Sequence, residues 1–161
     1  MRAMVRVSVL MRRLMETHFA GFGISGAQWA VLHALARAAE AGHRGLRVTE
    51  LSEWLLVRPP SVTSVVSRLR RDGLVRCEVV PGDQRGRLLS LTHAGRTLVE
   101  QVLAEREEQI ERLLSPLKER ERETLALMLG RLADHFGSLT GESSCTLLDD
   151  PLHQVASHST R

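Results

Sequence analysis

Apolar residues recur with a helical period over most of the chain and with a strand-like pattern over one short stretch. Residues 4–19 carry apolar side chains at steps of three and four, which predicts an amphipathic helix whose apolar stripe needs a partner. Ser25 and Gln28 have the spacing of a capping box, so a second helix is expected to begin there and to stop near Gly42. A polar loop over residues 43–47 follows this helix.

Two short helices are predicted in the next stretch. Thr49 is a good N-cap for a helix over residues 50–56, ELSEWLL. After a tight break, Pro59 suits the first turn of another helix, which is expected to run to Asp72 and to end at Gly73. Two short helices separated by a turn of three or four residues form a helix-turn-helix, so this stretch predicts that motif.

The β-like stretch comes directly after this motif. Residues 74–80, LVRCEVV, and 87–92, RLLSLT, have the composition of strands, and the intervening PGDQRG has the composition of a turn. Thr92 is placed to cap a long helix over residues 93–114. The pattern therefore predicts a β-hairpin between a helix-turn-helix and a long helix.

The last third of the chain is predicted to hold one more helix and a tail. Ser115 and Pro116 interrupt the helical pattern and restart it over residues 116–136, and Gly137 is expected to end that helix. Residues 138–161 have no sustained period and many Ser, His and Asp residues, which predicts a flexible tail. The expected fold is mainly α with a small β-wing.

Composition supports a helical domain and places positive charge in its middle. The 161 residues suffice for one domain with a core, and with no Tyr, 3 Phe and 2 Trp that core must be built from Leu, Val and Ala. Residues 43–96 hold 10 Arg against 5 acidic residues, whereas residues 97–161 hold 7 Lys or Arg against 12 acidic residues. A concentrated basic region of this kind attracts a polyanion.

The helix predicted over residues 59–72 has two chemically different sides. On a helical wheel Val62, Val65, Val66 and Leu69 share the apolar side, and the other side carries small hydroxyls and arginines. Small hydroxyl residues let a helix approach base edges in the major groove, and arginine pairs with guanine or phosphate. A solvated helix would have the same pattern, but the neighbouring helix, turn and strands favour DNA binding. The residues predicted to contact DNA are Arg58, Pro60, Ser61, Thr63, Ser64, Ser67, Arg68 and Arg71.

The predicted hairpin turn carries a second candidate contact. Arg85 lies two residues after Asp83, and Arg87 follows shortly after. An arginine at a hairpin tip can enter a minor groove, where the negative potential is strongest. Asp83 would then orient the guanidinium group of Arg85. An ordinary polar hairpin turn would also use Asp and Gly at these positions, and the adjacent helix decides in favour of DNA contact.

Taken together, these segments resemble the winged helix-turn-helix of the MarR family of bacterial transcription regulators. The resemblance rests on QWAVLHAL, on VTELSEWLLVRPPSVTSVVSRLRRDGLV, on the wing signature GDQRGRLLSLTHAG and on the long helices around them, and it covers about residues 5–136. It implies the order α1-α2-α3-α4-β-wing-α5-α6, an obligate homodimer, and repression relieved by a small molecule, often an anionic aromatic. It also implies that residues 59–72 form the recognition helix and that Arg85 is the wing arginine. Arg58 departs from the family, whose members often carry a Ser or Asp cap there, and suggests an added phosphate contact.

A dimer also has an argument from the residues. The first helix and both C-terminal helices carry apolar stripes that a small winged domain does not cover by itself, unless they pack on the core of one subunit. A symmetric pair would read an inverted repeat with half-sites about one helical turn apart. The expected division is an N-terminal dimerisation helix at 1–24, a DNA-binding domain at 25–96, C-terminal dimerisation helices at 97–137 and a flexible tail at 138–161.

Other functions find less support in the sequence. Cys77 and Cys145 have no ligand or disulfide spacing, and neither a metal motif nor a cofactor motif is evident. No segment has the length of a signal sequence core or a membrane span, so a soluble cytoplasmic protein is expected. A winged-helix module that binds protein instead of DNA is the alternative. An enzyme is the weakest hypothesis, because no nucleophile, base or phosphate loop is apparent.

Overall fold

The computed structural model describes residues 2–80 and 83–140, with side chains except at 80, 83–86, 107 and 140. These residues form six helices and one antiparallel pair of strands, which confirms the predicted mainly α fold with a small β-wing. Two compact units are present, unit 1 up to Ala104 and unit 2 from Glu105. The elements are α1 Arg2–Gly21, α2 Gly26–Glu40, α3 Val48–Trp54, α4 Pro59–Arg71, β1 Val75–Val80, β2 Asp83–Leu91, α5 His93–Leu114 and α6 Glu119–Thr140.

The core of unit 1 is built around α2. This helix contacts α1, α3, α4 and β2, and its side chains Val31, Leu32 and Leu35 are buried. From α4, Val62 and Leu69 complete the same core, and burial of each aliphatic side chain stabilises the fold by about 2 kcal/mol. The core therefore fixes which side of α4 faces inward and leaves the opposite side open.

Two predicted helix caps are confirmed. The Ser25 hydroxyl accepts from the Gln28 backbone N–H at 3.2 Å, and the Gln28 side-chain oxygen accepts from the Ser25 N–H at 3.0 Å, which completes the capping box of α2. The Thr92 hydroxyl accepts from the Gly95 N–H at 3.0 Å at the start of α5. These caps fix the starting points of both helices.

The predicted start and end of α3 are wrong by about two residues. Arg47 occupies the N-cap position in place of Thr49, and its backbone N–H donates to the Glu50 carboxylate. The helix ends at Trp54 because Leu56 has a left-handed backbone with φ of 52°, which is unusual for a residue with a side chain. The helix-turn-helix motif is thus present, with a strained residue in its turn.

The hairpin is longer than predicted, and a third segment joins it. β2 begins at Asp83, so four residues assigned to the turn lie in a strand, where a register shift between Val79 and Val80 accommodates them. Leu46, predicted to lie in a polar loop, is buried and exchanges backbone hydrogen bonds of 3.0 and 2.8 Å with Leu89. The hairpin formed by β1 and β2, here called the wing, is therefore tied to the segment before α3.

Unit 2 contains the C-terminal part of α5 and all of α6. The helix α6 begins at Glu119 and not at residue 116, because the Lys118 N–H donates to the Glu121 carboxylate at 2.7 Å and so starts the first turn. It continues through Gly137 to Thr140, so the predicted stop is wrong; a glycine inside a helix costs only about 1 kcal/mol. The first three residues of the predicted tail are helical, and residues 141–161 lie outside the described residues.

Within residues 2–80 and 83–140 we find no helix that combines the length and the apolar character needed to cross a membrane.

Candidate nucleic-acid interface

The outward side of α4 carries every helix residue that the sequence predicts to contact DNA. All of these side chains are exposed, whereas Val62, Val66 and Leu69 are buried in the core. Val65, which the sequence also places on the apolar side, is half-buried. The exposed residues are Arg58, Pro60, Ser61, Thr63, Ser64, Ser67, Arg68 and Arg71.

The hydroxyl groups on this surface differ in what they can offer a base. Thr63 donates its hydroxyl hydrogen to the Pro59 carbonyl at 3.0 Å, so its oxygen remains as an acceptor. Among the described residues, the Ser64 and Ser67 hydroxyls have no hydrogen-bond partner, and both can donate and accept. Ser64 and Ser67 are therefore the better candidates for contacts with base edges.

Arginines concentrate at the two ends of α4. At the start, Arg58 occupies the N-cap position without a side-chain cap bond, as predicted from the missing Ser or Asp. The last turn holds Arg68, Arg70 and Arg71, where positive charge also complements the helix dipole. Arg70 is exposed too and was absent from the predicted contacts, although three arginines within one turn could have indicated it.

Arg71 keeps most of its freedom to contact DNA. Its side chain is 77% exposed, and its charge partner within the described part of the chain is the Asp72 carboxylate, 3.7 Å from its Nε atom. Exposed ion pairs at such a distance contribute little energy. Arg76 in β1 differs, because its Nε atom lies 3.1 Å from the Glu78 carboxylate and donates to the Ser90 hydroxyl at 2.9 Å. Arg71 is thus the more available cation of the two.

Of the wing residues predicted to contact DNA, Arg87 has a described side chain. Arg87 is exposed in β2, opposite Val79 of β1. The backbone of Asp83 and Arg85 lies in β2, but their side chains are outside the described part of the chain. The predicted pairing of Asp83 with Arg85 therefore stays a prediction.

The end of α4 is held against the base of the wing. Thr92, besides capping α5, donates its hydroxyl to the Gly73 carbonyl at 2.7 Å. Gly73 has a left-handed backbone with φ of 73°, as expected for a glycine that ends a helix. Gly95 approaches so closely that a Cβ atom there would lie 2.1 Å from the Leu74 carbonyl oxygen. The candidate reading helix and the wing are therefore fixed to the start of α5.

Unit 1 has two open depressions on its surface. One, of about 460 Å³, lies between the α1–α2 loop, the end of α4 and the start of α5, and Asp72 is its charged lining residue. The other, of about 450 Å³, runs along α1 between Arg2, Arg6 and Arg13 over aliphatic side chains. Among residues 2–80 and 83–140, no group of three or more His, Cys, Asp or Glu side chains is arranged to hold a metal ion.

Comparison with known proteins shows which family this chain belongs to. A MarR family model matches residues 22–86, which span α2 to the wing. The transcriptional repressor YetL of Bacillus subtilis is 31% identical over 130 residues, which cover 81% of this chain and 76% of YetL. The chain belongs to the MarR family of transcription regulators.

Two further similarities agree with this membership. The regulator PecS of Dickeya dadantii is 28% identical over 131 residues, covering 81% of this chain and 78% of PecS. The crystal structure of a mutant MarR from E. coli complexed with operator DNA has a TM-score of 0.72 and 27% identity, and covers 81% of this chain and 91% of that one. Members of the MarR family are DNA-binding transcription regulators and not enzymes. This confirms the prediction from the sequence that the protein is a DNA-binding regulator and not an enzyme.

Proposed function

We propose that this MarR family member is a sequence-specific repressor that binds double-stranded DNA as a homodimer, in the cytoplasm. The observation that carries the proposal is the outward side of α4, where serine hydroxyls without a partner among the described residues lie beside exposed arginines. That combination suits direct reading of base edges together with phosphate contacts. A mobility-shift assay on the promoter of its own or an adjacent gene tests it, and binding without preference among sequences would contradict it.

Each candidate residue has a distinct role in this proposal. Ser64 and Ser67, supported by Pro60, Ser61 and Thr63, face base edges in the major groove. Arg68 and Arg71 pair with guanine or clamp phosphates, and Arg58 adds a phosphate contact at the start of the helix. In the wing, Arg85 enters the minor groove with Asp83 as its orienting partner, and Arg87 contacts the backbone. The similarity to the mutant MarR from E. coli complexed with operator DNA supports DNA binding by this chain.

The homodimer is supported by apolar surface that is exposed in a single chain. On α1, Met4, Val7, Met11 and Leu14 are between 39% and 60% exposed. On α6, one side of the helix carries exposed Leu125, Met128, Leu129, Leu132, Phe136 and Leu139. Continuous stripes of this size mark interaction sites. We infer that the segments 1–24 and 97–137 pair with those of a second copy, so that two domains at 25–96 read an inverted repeat.

A charged residue in the α6 stripe should separate the dimer. Leu132→Asp places a carboxylate in the middle of the stripe, and burial of an unpaired charge is costly. We expect a mainly monomeric protein by light scattering. Binding to an inverted repeat should weaken at least tenfold, on the order of the affinity lost when only one DNA-binding domain can bind. Leu127→Asp is the matched control, since Leu127 is 65% exposed on the opposite side of α6. A variant at Leu132 that stays dimeric would contradict the proposed interface.

We also propose that a small aromatic or anionic effector releases the DNA. The groove on α1 supports an anionic ligand with an apolar body, because Arg2, Arg6 and Arg13 line it beside Val5, Val9 and Leu10, whereas the cleft beside Asp72 does not. Such a ligand changes the affinity for DNA only if it binds more tightly at one distance between the two DNA-binding domains of the dimer than at another.

A screen of aromatic acids should identify a compound that raises the unfolding temperature and dissociates the DNA complex. The Arg6→Glu variant should lose both responses, since it inverts one charge of the α1 groove. Full responses in that variant would exclude the groove as the effector site.

A further inference from the structure

Gln28 links the start of α2 to the end of α4. Its side-chain oxygen accepts from the Ser25 backbone N–H at 3.0 Å, as part of the capping box. A backbone N–H can only donate, so this bond fixes which end of the amide faces Ser25. The amide nitrogen therefore points the other way, where it donates to the Asp72 carboxylate at 3.4 Å.

Asp72 is the residue at which α4 ends. Its backbone N–H bonds to the Arg68 carbonyl as the C-cap, and the left-handed Gly73 follows. One carboxylate oxygen of Asp72 accepts from Gln28, and the other lies 3.7 Å from Nε of Arg71. A single carboxylate thus connects the cap of α2 with an exposed arginine on the proposed DNA-reading side.

The contact between Gln28 and Asp72 adds to a second contact, which Thr92 makes with the end of α4 from the side of α5. The Thr92 hydroxyl bonds to the Gly73 carbonyl and so holds the backbone after α4 from the side of α5. Gln28 acts on the preceding residue from the side of α2. The end of α4 is therefore held from two helices, one contact on the backbone and one on a side chain.

We propose that Gln28 is a positioning residue for DNA recognition, which sets the end of α4 through Asp72. The inference rests on the proposed function, in which α4 enters the major groove. Small displacements of a recognition helix misalign all of its base contacts together, so loss of this contact lowers affinity without removing any group that touches DNA.

Gln28→Glu tests this role with little change in the fold. Glutamate at this position completes a capping box as well as glutamine does, so the cap of α2 is kept. The new carboxylate cannot donate to Asp72 and repels it. We expect affinity for a DNA site that the wild type binds specifically to fall about fivefold, because a partly exposed like-charge pair has a modest effect. The unfolding temperature should stay within about 3 °C of wild type.

A double-mutant cycle with Asp72→Asn separates the contact from the added charge. In the double variant the side-chain amide introduced by Asp72→Asn can donate to the carboxylate introduced by Gln28→Glu, which restores a hydrogen bond with its direction reversed. Gln28→Glu should therefore change affinity less than twofold, on the order of experimental error, when Asp72→Asn is present. The extra negative charge repels DNA equally in both backgrounds.

The outcomes of the cycle separate the two claims. Equal losses in both backgrounds, or a loss that follows a fall in unfolding temperature, would overturn the role of Gln28. Absence of specific binding by the wild type would refute the proposed function itself.

Discussion

Replacement of Arg68 by glutamate is expected to weaken binding to specific DNA on the order of 100-fold, or about 3 kcal/mol. The variant loses a cation in the last turn of α4 and places an anion against the phosphates. Because Arg68 is exposed and outside the core, the unfolding temperature should fall by only about 5 °C or less, from the lost interaction with the helix dipole. Fluorescence anisotropy at several salt concentrations measures the loss, and the salt dependence should become shallower.

Arg120→Glu is the matched control, with the same change of charge at an exposed site on α6. If both variants bound equally weakly, net charge and not the α4 surface would explain the result. The alternative function, a winged module that binds protein, makes the opposite prediction. In that case Arg68→Ala combined with Arg85→Ala would leave the activity unchanged.

Gly95→Ala should be among the most destabilising single substitutions in unit 1. A Cβ atom at this position would lie 2.1 Å from the Leu74 carbonyl oxygen, so α5 or the backbone after α4 must move. We expect a loss of about 3 kcal/mol in the free energy of unfolding, as for other overpacked core sites. Alanine normally stabilises a helix relative to glycine. A fall in the free energy of unfolding would therefore indicate the clash with the Leu74 carbonyl oxygen.

Gly21→Ala provides the comparison for this substitution. Gly21 is the last residue of α1, and a Cβ atom there would meet nothing within 4 Å. Denaturant unfolding at one protein concentration should therefore show no loss for Gly21→Ala. Similar stability of the two variants would mean that α5 can shift away from Leu74 at little cost, contrary to the expected packing.

Local chemistry explains why much of the fold could be predicted from the sequence. The spacing of Val62, Val66 and Leu69 identified the buried side of α4, and therefore the exposed one. Ser25 and Thr92 were recognised as caps because each bonds to a backbone group three residues ahead. In each case the deciding interaction lies within one helix, where sequence spacing translates directly into distance.

The predictions from the sequence failed where two local preferences competed, or where the contact partner of a residue lies far away in the sequence. Thr49 is a good cap, but the bond from Arg47 to Glu50 starts α3 earlier. Gly137 favours a helix end, yet its cost is too small to stop α6. The contact between Gln28 and Asp72 joins residues 44 positions apart, and no spacing rule reveals it.

The most direct test of specific reading by a dimer is sequencing of the DNA fragments that the purified protein selects from a random pool. We expect an inverted repeat whose half-sites are separated by about one helical turn, 10 base pairs, because two copies of α4 would enter successive major grooves on one side of the duplex. Selection should be lost in Arg68→Glu. Recovery of fragments without a shared sequence, or of a single unrepeated half-site, would contradict recognition by a symmetric pair.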